Sequence, residues 1–123
     1  MKFLLDTHVL LWWLSDDPSL TSNHRRIIMD QRNSCFVSAA TIWEISIKTG
    51  LGKLVVADEY LETIRSQGFL ELAVSWEHAN AIKRLPEHHK DPFDRILIAQ
   101  AQCERMDLLS IDEDIKKYDV TVV

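Results

Sequence analysis

The stretch "KFLLDTHVLLWWL" constrains the fold more than any other part of this 123-residue chain. A short apolar run ends at Asp6, and a dense apolar helix follows with no room for a linker. The same order recurs downstream. "CFVS" leads directly into "AATIWEISIKTG" with Ser38 as N-cap, "LELAVS" precedes "WEHANAIKRLP", and "DLLSID" precedes a short helical "EDIKKY". Strands separated by helices are joined by crossovers, which make them parallel. The short apolar runs also lack a clear polar alternation, as strands covered on both faces do. The expected fold class is α/β, a three-layer domain with a mainly parallel central sheet flanked by helices, forming a single domain over 1–123.

The remaining segments fit between these units. Thr21 or Ser22 can cap a helix through "NHRRIIMDQR", Gly50 is placed to end the helix before it, and "LGKLVV" reads as a connection. "ADEYLETIRSQG" is an amphipathic helix stopped by Gly68, and "VTVV" is read as a terminal strand. The best-marked helix is "DPFDRILIAQAQCERM": Asp91 suits the N-cap, Pro92 the first helical position, and Asp94 the first turn, where the helix dipole favours an anion.

A composition of 46% apolar residues with three glycines and three prolines is that of one packed core. Charge interrupts every apolar stretch before about 18 residues, and Asp6 breaks the one candidate signal region, so a cytoplasmic protein without a membrane span is expected. Cys35 and Cys103 show no ligand spacing and are expected as reduced, buried thiols. A net charge of −5 argues against a surface that attracts nucleic acid everywhere. Phosphate contact would then depend on particular groups, among them Lys48, Lys53 and Arg95, each of which a solvated surface explains as well.

In open parallel sheets, the working crevice lies beyond the carboxyl ends of the strands. Asp6 ends the first strand and Asp112 ends "LLSID", while Asp94 lies at a helix start able to face the same edge. Glu44 sits in the second turn of its helix between Trp43 and Ile45, where it either pairs with Lys48 at i+4 or points inward. Four converging carboxylates would repel one another and raise one another's pKa unless a cation joined them. Oxygen donors select a hard ion, so Mg2+ or Mn2+ is the expected cofactor. Such an ion suits phosphodiester hydrolysis.

The four pieces "LLDTHVLLWWLSDDPSL", "SAATIWEISIKTGLGKL", "HHKDPFDRILIAQA" and "LLSIDEDI" together resemble a PIN-domain ribonuclease, most closely the VapC-type toxins whose first motif reads Asp-Thr-His. The resemblance covers essentially the whole chain. It implies that Asp6, Glu44, Asp94 and Asp112 are the catalytic and metal-binding acids, with Asp114 a competitor for the fourth place. Ser110 matches a hydroxyl two residues before that acid, and Thr7 a small polar residue after the first. Asp91 stays with capping, and Lys48, Lys53 or Arg95 with phosphate positioning. His8 is assigned to packing or substrate contact, His88 and His89 to a solvated loop or phosphate at the rim, and Trp12, Trp13, Trp43 and Trp76 to the core or an oligomer contact.

By the same resemblance the chain would be an endoribonuclease toxin of a toxin–antitoxin pair, leaving 5'-phosphate and 3'-hydroxyl ends. Its partners would be an RNA substrate, a VapB-type antitoxin that alone contacts DNA, and a second copy in a homodimer. The alternative is a non-catalytic PIN-fold module that binds RNA or a partner. A receiver domain would need a paired acid near its start and a late strand-end Lys, and a haloacid-dehalogenase site needs Asp-x-Asp where this chain has Asp-Thr-His.

Overall fold

Three of the four strands divide their apolar residues between two cores, and that division builds the layers. The computed structural model describes residues 1–123. Its strands are β1 (Lys2–Leu5), β2 (Ser34–Ser38), β3 (Leu70–Leu72) and β4 (Asp107–Leu109). Helices α1 (Thr7–Ser15) and α2 (Ser22–Met29) lie between β1 and β2, α3 (Ala39–Gly50) and α4 (Tyr60–Ser66) between β2 and β3, and α5 (Trp76–Ala81) and α6 (Pro92–Glu104) between β3 and β4. Phe3 and Leu5 of β1, Cys35 and Val37 of β2, and Leu109 of β4 join one core with Val9 and Leu10 of α1, Ile45 of α3 and Ile64 of α4. Leu4 and Leu108 face the opposite way, into a second core with Leu97, Ile98 and Ala101 of α6. Leu4, Leu5, Leu108 and Leu109 are fully buried, each worth about 1.5–3 kcal/mol. The fold is a three-layer α/β sandwich.

All strand pairings are parallel, in the order β3-β2-β1-β4. The first two crossovers step outward from β1 to β2 to β3, and the third returns the chain to the other side of β1. The strand order therefore reverses between β1 and β4, which creates a crevice at their carboxyl ends. The Asp6 N–H donates to the Leu109 carbonyl at 3.0 Å and closes the sheet at that point.

Several elements are shorter than the sequence suggests. The "VTVV" strand is reduced to one bridge, Leu108 with Val122, because two hydrogen bonds through Leu108 are all the backbone pairing it makes there. The helix in "ADEYLETIRSQG" begins only at Tyr60, with no side chain capping its start. The helix in "WEHANAIKRLP" tightens to a 3-10 turn at Ile82–Arg84 before Pro86. Thr21 is the cap of α2, accepting from His24 N.

α3 does end at Gly50, but Gly50 is not the residue that turns the chain. The left-handed residue is Gly52, at φ 71°, and the Lys53 N–H donates to the Lys48 carbonyl while Gly52 N–H donates to that of Thr49. This double bond pattern needs the left-handed residue one place beyond the cap, where glycine carries no Cβ penalty.

Candidate active site

Asp6, a candidate site residue, caps α1. Immediately after β1, its Oδ1 accepts from Val9 N at 3.0 Å and starts α1, while its Oδ2 accepts from the Ser110 hydroxyl at 2.5 Å. Ser110, just past β4, is 3% exposed and also accepts from Asp112 N at 3.0 Å. Burial raises the Asp6 carboxyl above the usual carboxylate range, and the Ser110 and Val9 donors only partly offset it.

Thr7 links this end of α1 to α3. Its hydroxyl donates to Glu44 Oε1 at 2.8 Å, with Thr41 Oγ1 at 3.4 Å. Glu44 is 5% exposed, so it does point inward; its other oxygen, Oε2, pairs with Lys48 Nζ at 2.6 Å. The inward orientation of Glu44 and its ion pair with Lys48 therefore occur together. Lys48 is held above its ordinary pKa, first by the hydrogen bond to Glu44, with the charges of Asp91 and Asp94 adding to it.

Asp91 caps α6, accepting from Phe93 N at 2.9 Å, and Pro92 occupies the first helical position. Asp94 lies one turn further, facing the crevice. Its carboxyl is pushed up to about 7, chiefly by burial and then by the negative charge of Asp91, with smaller contributions from Asp6 and Asp112. That dependence places Asp94 in one electrostatic neighbourhood with Asp6 and Asp112.

His89 completes the cluster. Its Nε2 lies 3.0 Å from Asp94 Oδ2 and 3.0 Å from Asp112 Oδ2. Its Nδ1 accepts from Asp91 N at 3.1 Å, so Nε2 carries the proton shared with the two acids. Burial opposes a positive imidazole, but the hydrogen bond to Asp112 and the charges of Asp94, Asp112 and Asp91 outweigh it, leaving His89 above its usual pKa. Burial likewise raises Asp112, yet the His89 bond and the backbone donors of Asp114 and Ile115 bring it below the ordinary value.

The solvated or rim position read from the sequence for His89 is thus replaced by a place between two acids. No motif marks it; its closeness to Asp91 and Asp94 in sequence is the only signal. Asp114 is half-exposed and pairs with Lys117 at 2.9 Å. With His89 and Asp112, however, it forms the one trio of possible ligand residues whose donor atoms lie mutually within 4.8 Å. Asp6, Glu44 and Asp94 lie outside that trio; Asp6 is bound by Val9 N–H and Ser110, and Glu44 by Thr7 and Lys48.

Other sequence-derived assignments move away from the site. Arg95 is turned toward the loop before α6, donating to the carbonyls of Pro86 at 2.9 Å and His89 at 3.3 Å and to the Tyr118 hydroxyl. Its guanidinium is largely spent on these groups. Trp43 is 63% and Trp76 91% exposed, so neither is core, whereas Trp13 packs on Phe69 and donates to Gln67 at 2.7 Å. Trp43 stands edge-on to Phe93 over an apolar cleft of about 500 Å³ beside the acids. A larger cleft of about 630 Å³ opens at the opposite end of the sheet, near the start of β2 and β3. The four acids line neither of the two. Cys35 is buried, but Cys103 is exposed, because it falls on the outer side of α6.

Residues 3–120 match the model of the PIN domain family. The chain belongs to the PIN domain family. Solved structures share this PIN fold over nearly the whole chain. VapBC2 from Rickettsia felis bound to a promoter DNA fragment aligns at TM-score 0.74 and 14% identity, covering 100% of this chain and 98% of that one. DNA-bound VapBC from Salmonella typhimurium aligns at 0.72 and 13%, covering 100% and 97%. A toxin–antitoxin complex from Klebsiella pneumoniae aligns at 0.66 and 20%, covering 98% and 94%. Among curated proteins, none matches the chain. At these identities the PIN architecture is what the structures share. No helix of this PIN domain is long and apolar enough to cross a membrane.

Proposed function

We propose that this PIN domain is a VapC-type toxin, a metal-dependent endoribonuclease that hydrolyses RNA phosphodiester bonds. The observation that carries the reading is Asp94, held near neutrality by burial and by Asp91, Asp6 and Asp112 at the point where the strand order reverses. A buried carboxyl pushed up to about 7 beside other acids fits a divalent cation, and the donors facing it are carboxylate oxygens suited to Mg2+ or Mn2+. Asp94 and Asp112 would hold it, with Asp6 and Glu44 completing the negative field. When bound, such an ion polarises a phosphate oxygen and lowers the pKa of a water molecule.

The chain's own side chains supply the rest. Ser110 and Val9 N–H fix the Asp6 carboxylate, and Thr7 fixes Glu44. Lys48, 43% exposed and beside Glu44, Asp91 and Asp94, provides a cation at the rim able to meet a phosphate as it approaches. In this reading the protein acts in the cytoplasm and is paired with a VapB-type antitoxin that covers the acids and contributes the DNA contact. The fold relatives solved as toxin–antitoxin complexes support that pairing, and the net charge of −5 suits a chain that leaves DNA to its partner.

The test is expression of the wild type and of Asp94→Asn in cells, with new 5'-phosphate RNA ends mapped in each. Discrete ends with the wild type alone, lost in vitro on adding EDTA, are expected. Identical RNA from both folded proteins would instead favour a non-catalytic binding module.

A further inference from the structure

The hydroxyl of Tyr118 sits at the centre of a polar junction in a region otherwise apolar. Tyr118 is 5% exposed and belongs to the core beneath α6. Its hydroxyl donates to the Pro86 carbonyl at 2.8 Å and accepts from the backbone N–H of His88 at 3.1 Å and of His89 at 2.8 Å. Arg95 Nη1 approaches the same oxygen at 3.3 Å and binds the Pro86 and His89 carbonyls. The loop before α6 is therefore pinned at Pro86, His88 and His89 by two side chains from other parts of the fold.

The pinned loop ends in an imidazole whose two nitrogens are both engaged. Asp91 N–H on Nδ1 fixes the tautomer, and Nε2–H spans Asp94 and Asp112 at 3.0 Å to each. Those two acids come from separate elements, α6 and the segment after β4. Apart from the fold itself, His89 is the group that touches both. With its proton on Nε2, His89 donates to the acids and does not ligate through that atom.

We propose that Tyr118 and His89 form a positioning relay that sets the separation and orientation of Asp94 and Asp112. Tyr118 holds the loop, the loop holds the imidazole, and the imidazole holds the acids. Arg95 belongs to the relay as a second loop anchor. Donors behind ligating carboxylates commonly govern ion affinity by about 10- to 100-fold, so loss of the Tyr118 hydroxyl weakens divalent binding at a distance, without removing any acid. This consequence rests on the metal-site reading above, whereas the relay itself does not.

The test uses the full chain and the variant Tyr118→Phe, which keeps the ring in its core position. Two readouts separate the relay from the metal site. The ¹⁵N shifts of the His89 imidazole, measured without metal, report whether the Nε2–H tautomer is held. Titration with Mn2+ alone, followed by its electron paramagnetic resonance signal, reports affinity. The relay predicts a fixed Nε2–H tautomer in the wild type, its averaging in Tyr118→Phe, and Mn2+ binding about 10-fold weaker in that variant. An unchanged tautomer in Tyr118→Phe would overturn the relay. So would equal Mn2+ affinity in the two proteins. A tautomer lost in the variant, with no Mn2+ binding even by the wild type, would uphold the relay and overturn the metal-site reading.

Discussion

Ser110 and Asp6 meet through a hydrogen bond of 2.5 Å although 104 residues separate them. The bond joins the end of β4 to the start of α1 and is made to a buried carboxylate that already lies above its ordinary pKa. Ser110 also accepts from Asp112 N, so one hydroxyl serves two acids.

Ser110→Ala removes a donor from a buried acid and an acceptor from a backbone N–H. The expected loss of stability is about 1–3 kcal/mol, read as a lower urea midpoint with an unchanged slope. Cleavage should also shift to higher pH, since Asp6 loses a group that favours its ionised form.

Asp94→Asn should abolish cleavage and alter the pH dependence of folding. In metal-free protein, burial and then the charge of Asp91 push the Asp94 carboxyl up to about 7, from an ordinary value of 3.8. A raised pKa means that its contribution to stability is fully present below about pH 4 and is lost as pH rises through 7. The wild type in EDTA should therefore lose more stability between pH 5 and pH 8 than Asp94→Asn does. Urea unfolding at those two pH values checks this, and parallel curves would remove the buried-acid argument.

Asp91 separates capping from charge. Asp91→Ala loses the bond to Phe93 N and should cost about 1 kcal/mol of stability. Asp91→Asn retains a capping oxygen and should fold within a few tenths of a kcal/mol of wild type, while removing the negative charge that ranks next after burial in raising Asp94. A lower apparent pKa for Asp94 in this variant, followed by carboxyl NMR, is the expected signature.

The two thiols should behave differently. Cys103 is exposed and should react with a disulfide reagent in the native state at neutral pH. Cys35 is buried in the sheet, its thiol pushed up to about 11, and should react only when the chain unfolds. One equivalent before denaturation and two after it is the expected count.

The architecture was legible because adjacent residues in β1, β2 and β4 feed different cores. Leu4 and Leu5 are both apolar for that reason, and this absence of alternation identified a sheet covered on both faces. Asp91, Pro92 and Asp94 were legible as a helix start because capping is local. What the sequence did not disclose depends on contacts between distant segments. His89 and Arg95 lie six residues apart, yet one turns to the acids and the other to Tyr118. Trp43 and Trp76 have the spacing of core residues, but the helices bearing them bury only one face, and periodicity does not say which apolar residues face the solvent. Gly50 and Gly52 both suit a helix end, and only the backbone geometry selects Gly52.

The reversal in strand order has a consequence for how the protein is made. Because β4 pairs with β1, a chain still being synthesised has Asp6, Glu44 and even Asp94 long before it has Ser110 and Asp112 to set beside them. The Ser110–Asp6 contact that unites the crevice spans 104 positions of sequence. A nascent chain that has not yet presented β4 therefore carries its acids without an assembled cluster.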